Sequence, residues 1–285
     1  MEVSLLTFNT GLLRLAPFGR TALEPAPWVE ARARALPAAL RAIDADIVCL
    51  QEIYAARHRR ALATALADLY PHAISPRRGA KILPSGLMLL SKFAVAAHRF
   101  RGFRAGPFEE RWFVQKGFQE TIFRAPDRPP LHVLNLHATA GGWSFDPEDP
   151  RADAIRARQI DQVLAAADAQ AGAALTLIVG DLNAGPPVSM GNYAQFGKAA
   201  WVDLYARRHG MDAAGTTWSG DHPLARNGPH SHQRPQRIDH VFARDGAVSV
   251  LDARIVLQEP VVAVPNDAPV GLSDHFGVLV KLRAV

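Results

Sequence analysis

The feature that most constrains the fold of this chain is a series of apolar runs with the length and composition of β-strands: Val3 to Phe8, Ile47 to Ile53, Leu87 to Leu90, Gln119 to Phe123, Leu131 to His137, Leu175 to Gly180, Ile238 to Phe242, Ala247 to Val256 and Phe276 to Leu282. Helical patterns separate some of them, with apolar residues at helical spacing over Val29 to Ile43 (behind Pro27), Ala55 to Leu69 and Arg151 to Ala169. Pro37 removes a backbone donor from the first of these and is expected to kink or shorten it. Strand and helix alternate early, strands follow one another in the middle, and a long helix precedes the last strand group. That order predicts an α/β (α+β) sandwich, two packed β-sheets with helices on their outer faces, in one domain over residues 1–285. Arg99 to Lys116, Thr139 to Pro150 and Gly185 to Gln236 read as loops, the last with short structured pieces such as Trp201 to Tyr205. Loops on a rigid sheet scaffold are where function concentrates.

Hydrophobic residues make up 48% and charged residues 21% of the chain, which supports a packed core and excludes a disordered or fibrous protein. Lys and Arg total 32 against 27 Asp and Glu, a net +5 that mildly favours polyanions, phosphorylated substrates or anionic membrane surfaces without choosing among them. Only five of those cations are lysines, so arginine, which grips phosphate through two parallel hydrogen bonds, carries most of the positive charge. Cys49 is the single cysteine and lies in an apolar run; it reads as a small core residue, with no intrachain disulfide or thiolate metal cluster. No basic segment precedes the first strand pattern and no apolar run has the length of a membrane span. The expectation is a monomeric cytoplasmic protein with no transmembrane segment.

Polar residues at the ends of the apolar runs carry the chemistry. In LTLIVGDLN a buried-looking strand ends at Gly180 and delivers Asp181 and Asn183, which alternate and so can face one site. GLSDHFGVLVKL places Asp274 and His275 at a strand entrance, a carboxylate for a metal beside an imidazole for acid or base work. In QRIDHVF, Asp239 interrupts an apolar pattern, and a buried carboxylate needs a cation or strong donors; Arg237 is one possible partner. Asn9 closes the first run, CLQE leads directly into Glu52, and His137 closes LHVLNLH. A hard cation such as magnesium takes carboxylate, amide and water oxygens, a role that Glu52 fits. Taken singly, each of these residues also reads as a turn, capping or hydrogen-bonded group.

In order, TFNTG, IVCLQE, NLHATAG, IVGDLN, QRIDHVF and LSDHFGV resemble the motif series of the endonuclease/exonuclease/phosphatase superfamily, from Asn9 to His275. The resemblance implies a four-layer sandwich of two mixed β-sheets and a metal-dependent phosphoester hydrolase using Mg2+, with Mn2+ as a substitute. It implies Glu52 as the main metal carboxylate, Asn9 helping to bind metal, water or phosphate, and Asp274 near the metal. Asp181 would orient or deprotonate the attacking water, Asn183 and His137 would hold phosphoryl oxygens, and His275, oriented by Asp239, would act as base or transition-state stabiliser. GLMLLSKFAV, WFVQKGFQETIF and LHVLNLHATAG are most similar to the neutral-sphingomyelinase branch, in which Lys116 would fix an active conformation or a headgroup phosphate. That branch places an acid a few positions before the lysine, whereas here the nearest are Glu109 and Glu110, followed by Arg111. Phe100, Phe103, Phe108, Trp112 and Phe113, interleaved with arginines, suit a membrane interface, nucleobase stacking or the core. His222, Arg226, His230, His232, Arg234 and Arg237 gather before Asp239 and suit contact with phosphate. The resemblance thus implies a phospholipid headgroup, a nucleic acid or a small phosphodiester as the substrate. A nuclease, an inositol-phosphate phosphatase and a non-catalytic phosphate-binding module stay open as alternatives.

Overall fold

The computed structural model describes residues 2–16, 20–124, 129–142, 144–211, 213, 215–265 and 267–285. β1 (Glu2–Asn9) and β2 (Ile47–Gln51) are parallel neighbours, so the chain between them must cross over, and it does so through α1 (Val29–Ile43). β7 (Leu131–His137) and β8 (Leu175–Asp181) repeat the arrangement around α4 (Pro150–Asp168). That helix starts where Asp149 accepts a hydrogen bond from the Arg151 amide and proline occupies the first turn.

Each parallel pair forms the middle of a six-stranded mixed sheet. The first sheet adds β3 (His72–Ile74), β4 (Met88–Ser91), β11 (Val248–Val256) and β12 (Gly277–Ala284), in the order β11-β12-β1-β2-β4-β3. The second adds β5 (Val95–Gly102), β6 (Gly117–Phe123), β9 (Trp201–Asp203) and β10 (Asp239–Arg244), in the order β5-β6-β7-β8-β10-β9. The remaining helices are α2 (Ala56–Ala65), α3 (Phe108–Phe113), α5 (Met190–Lys198) and α6 (Leu204–His209).

The two-residue period of a strand sorts its side chains into separate cores. Leu5, Ile47, Cys49, Val133, Leu177 and Val179 point between the sheets, where they meet Val241, Val278 and Val280. Their neighbours Leu6, Phe8, Val48 and Leu50 pack outward beneath α1 and α2, while Leu134, Leu136 and Ile178 pack outward beneath α4 and α5. Covering on both faces explains why these strands read as unbroken apolar runs. The result is the expected four-layer sandwich.

Several boundaries differ from the sequence reading. α1 runs through Pro37 without interruption, and α2 stops at Ala65 rather than Leu69. The 99–116 segment is no continuous loop: it contains the end of β5 and all of α3. β5 was hidden because it is a largely exposed edge strand, VAAHRFRG, that lacks an apolar run.

Candidate active site

The site forms where the strands of both sheets end. Strand register alone lines up three of its residues, because His137 on β7 is the partner of Asp181 on β8, which in turn faces Asp239 on β10. Gly180 allows the two parallel strands to close at this point: a Cβ there would lie 2.0 Å from the Leu136 carbonyl oxygen. In the first sheet, Asn9 ends β1, and Glu52 follows β2 in the left-handed region at φ 58, a conformation uncommon for glutamate and characteristic of functional sites. The sheets are tied together next to the site by Gln51, whose amide donates to Asn135 Oδ1 at 2.7 Å.

Asn9 bridges the two halves. Its side-chain nitrogen donates to Asp181 Oδ2 at 2.8 Å and Glu52 Oε1 at 3.4 Å, and its oxygen accepts from the Gly11 amide at 3.0 Å. It thus ties together carboxylates from the two sheets. Asn183 also differs from its expected placement. It lies beyond β8 at φ 50 rather than on the strand, its amide donates to Asp181 Oδ1 at 2.8 Å, and its side chain donates to the Ala138 carbonyl at 3.1 Å. The local turn, and not strand alternation, brings it to Asp181.

His275 Nδ1 lies 2.9 Å from Asp239 Oδ2, with both side chains buried, while its Nε2 lies 3.9 Å from Asp181 Oδ2. Arg237, the alternative partner for Asp239, instead faces Asp203 at 3.4 Å. Burial pulls His275 down, but the charge and hydrogen bond of Asp239, helped by Asp181 and Asp274, outweigh it and carry the imidazole up to about 10. His137 goes the other way: burial, with Lys116 and His275 nearby, holds it well below the usual histidine range, so it is neutral. Its Nε2 lies 3.6 Å from Asp181 and 3.7 Å from Glu52. Asp181 is pushed up to about 7 by burial and by the charge of Asp239. Glu52 is raised by burial and then by the charge of Asp274.

Lys116 sits behind this cluster. Its ammonium donates to the Ala138 carbonyl at 3.0 Å and lies 3.7 Å from Glu110 Oε1, so the acid partner is supplied from α3, six positions upstream. It does not line the cavity. Of the histidines and arginines in the 219–237 segment, only His230 lines the cavity among the described residues. His232 instead binds Asp146 at 2.8 Å, tying this segment to the 139–149 loop.

Two supporting residues escaped the sequence reading. Trp218 donates its indole N–H to Asp274 Oδ2 at 3.2 Å, and within a long polar loop it carried no signal beyond its size. Arg32 is fully buried and donates to the carbonyls of Thr10, Gly11, Ala26, Pro27 and Leu272 at 2.7–3.0 Å, which fixes the loop after Asn9 against the one before Asp274. Its signal was present: Arg32 stands on the same helical stripe as Val29, Leu36 and Leu40, where a charge is out of place.

The cavity above these groups encloses about 210 Å³. Glu52, His137, Asp181, Asn183, Asp274 and His275 line it on one side, and Leu13, Leu23, Pro25, Ala140, Pro229 and Ile238 supply apolar wall. No lysine or arginine lines it among the described residues.

No curated protein matches the chain in sequence. Among solved structures, sphingomyelinase C from Streptomyces griseocarneus is similar at TM-score 0.76 and 22% identity, over 99% of each chain. A Staphylococcus aureus beta toxin variant with bound magnesium ions superposes at TM-score 0.73 and 17% identity, over 100% of each chain. D. rerio TDP2 complexed with a single-strand DNA product gives TM-score 0.71 and 14% identity, over 99% of each. These likenesses show the shared fold. The family model for the Endonuclease/Exonuclease/phosphatase family matches residues 6–275. With that match running from the first strand to His275, the chain belongs to the endonuclease/exonuclease/phosphatase family and is an enzyme of phosphoric ester hydrolysis.

Proposed function

We propose that this protein is a divalent-metal-dependent phosphodiesterase of the sphingomyelinase-like kind, acting on a phospholipid headgroup. The observation that carries the reading is the cavity: a floor of acids, histidines and an asparagine under an apolar wall, with no lysine or arginine in the lining among the described residues. A nucleic acid presents a phosphate at every nucleotide and is held by tracks of cationic side chains; an inositol polyphosphate makes the same demand. A diester with one phosphate and an apolar body needs neither.

The donor set fits a hard cation. Glu52 and Asp274 are oxygen ligands of the type magnesium or manganese takes, and their mutual repulsion, which raises Glu52, is relieved by positive charge between them. Such an ion, when bound, supplies Lewis-acid neutralisation of phosphoryl charge. Asp181, Asp239 and His275 also offer ligand atoms within 4.8 Å of one another. We read those three instead as a proton-holding group, because the two carboxylates keep His275 cationic and a metal would have to displace that proton.

The chain's own groups divide the remaining work. Asp181, carried up to about 7, takes a water's proton near neutral pH and is oriented for it by Asn9 and the Asn183 amide. Neutral His137 and the Asn183 side chain donate to phosphoryl oxygens. His275, held by Asp239, presents a cation to the charge that grows on the departing and equatorial oxygens. Attack by water forms one P–O bond as the bond to the leaving oxygen breaks; His275 gives a proton to that oxygen, and the proton taken from water by Asp181 balances it.

The test is a magnesium-supplemented panel of sphingomyelin, lysophospholipids, DNA, RNA, inositol phosphates and bis-p-nitrophenyl phosphate. Release of the phosphorylated headgroup from a phospholipid at the highest kcat/KM is expected. Faster cleavage of DNA or RNA, weakening steeply with salt, would replace this reading with the nuclease one.

A further inference from the structure

α3 is built inside out. Its two acids are buried, Glu109 and Glu110 at 7% and 6% exposure, while Phe108 and Trp112 stand 65% and 62% exposed. Phe113 on the same helix and Ile82, from the segment paired with Val114, extend the apolar surface at 38% and 61%. Phe108 contacts both other rings, with centroids 6.4 Å from Trp112 and 6.1 Å from Phe113, so the patch is continuous. A helix facing only water has the opposite arrangement.

The inversion is locked from inside. Glu109 accepts from the backbone N–H and hydroxyl of Ser144 at 2.9 and 2.8 Å, and Glu110 faces Lys116 at 3.7 Å. Turning the aromatics inward would break both attachments and leave the buried Lys116 ammonium without its carboxylate partner. Ser144 belongs to the loop that contributes Ala140, Gly142 and Pro147 to the cavity wall, so α3 is fastened to that wall.

Basic residues frame the patch. Arg78 donates to the Ile82 carbonyl, the Lys81 ammonium reaches the Val114 carbonyl at 3.0 Å, and Arg111 lies on α3 itself. Arg111 also joins Arg101, Arg104 and Arg158 along a groove between the 101–111 segment and α4. Arg101 pairs with Glu120, but Arg104, Arg111 and Arg158 face no carboxylate at ion-pair distance among the described residues. Asp161, the acid in that groove, is occupied by the Gln195 amide at 3.1 Å. Aromatic side chains framed by arginine suit the boundary between headgroups and acyl chains. A second copy of this chain is the poorer occupant, since a two-fold contact would set the same cations against each other.

We propose that α3, with Ile82, docks on an anionic phospholipid surface, Phe108 and Trp112 entering the interface while Arg78, Lys81, Arg111 and the arginine groove meet lipid phosphates. This deepens the lipid reading of the active site and rests on it for its purpose, although docking is measured without turnover.

The test is co-sedimentation of the full chain with vesicles of phosphatidylcholine alone or phosphatidylcholine containing phosphatidylserine. The wild type is expected to bind the anionic vesicles preferentially. Phe108→Ser combined with Trp112→Ser should weaken that binding about tenfold or more, and Arg111→Glu should erase the preference for phosphatidylserine. All variants should hydrolyse bis-p-nitrophenyl phosphate at the wild-type rate, which shows that they are folded. Docking that depends on the aromatics supports the proposal even if no phospholipid is cleaved, and in that case the lipid reading of the active site fails alone. The proposal is overturned by wild-type binding in the double variant, by no vesicle binding in the wild type, by a dimer that the double variant abolishes, or by aromatic-dependent retention of single-stranded DNA in place of vesicles.

Discussion

Replacing Asp239 with asparagine keeps the shape of the side chain and removes its charge from the site. Asp239 holds His275 at 2.9 Å and is the leading upward influence that carries the imidazole from 6.5 to about 10. At about 1.4 kcal/mol per unit, that elevation corresponds to roughly 5 kcal/mol of preference for the imidazolium. Without Asp239, the downward pull of burial meets only Asp181 and Asp274, and His275 becomes largely neutral in the weakly alkaline range. Loss of that cation should lower kcat by about 10²- to 10³-fold. The same charge also raises Asp181, so the base should titrate at lower pH in the variant. Both limbs of the pH–rate profile should therefore move toward acid, the rising limb from about 7 and the falling limb from about 10. Initial rates on bis-p-nitrophenyl phosphate across the pH range at fixed magnesium measure this, with a thermal melt as the folding control. A variant within about threefold of wild type with both limbs unmoved would refute the assigned roles of Asp239 and His275.

Gly11→Ala should damage the carboxylate site without replacing any of its side chains, because the residue sits at φ +54 and its Cβ would lie 2.4 Å from Asp274 Oδ1. The magnesium requirement for half-maximal rate should rise about tenfold, while an unchanged titration would show that Asp274 is not held there. Arg32→Met leaves buried carbonyls without their donor and should cost about 3–5 kcal/mol in a denaturant melt; a loss below about 1 kcal/mol would deny the clamp. Glu30 on α1 meets Arg57 and His58 on α2, and although its partial burial pushes upward, these hydrogen bonds lower its carboxyl from 4.5 to about 2. Its stabilisation is present above pH 4.5 and disappears as pH falls through about 2. Because the side chain is 38% exposed, Glu30→Gln should cost only about 1 kcal/mol at neutral pH, with the difference closing in that acid window. Equal melts of the two proteins at pH 7 would refute it.

Much of the site was legible because a polar residue closing a strand buried on both faces is conspicuous. Leu131–His137 and Leu175–Asp181 lie almost where the apolar runs end, so His137 and Asp181 could be named before their register was known. Asn183 reaches Asp181 through a left-handed turn, which is not visible in strand periodicity. β3 and β5 were missed because edge strands expose much of their surface and need no continuous apolar run. Trp218 lacked a signal because its function depends on one indole N–H reaching Asp274 from a distant loop. The aromatics before Lys116 divided as composition alone could not foretell: Phe103 packs against the core with Phe118, whereas Phe108 and Trp112 face solvent.

We propose that Glu52 and Asp274 hold a divalent cation while His275 acts on the phosphoryl group. Magnesium titration of the chelator-treated protein, by calorimetry and by rate on bis-p-nitrophenyl phosphate, tests it in wild type, Glu52→Gln and His275→Ala. Magnesium-dependent turnover is expected in the wild type, with loss of both cation binding and rate in Glu52→Gln. Retained cation binding with about 10²- to 10⁴-fold lower turnover is expected in His275→Ala. Full activity after chelation, or near-normal turnover in His275→Ala, would contradict it.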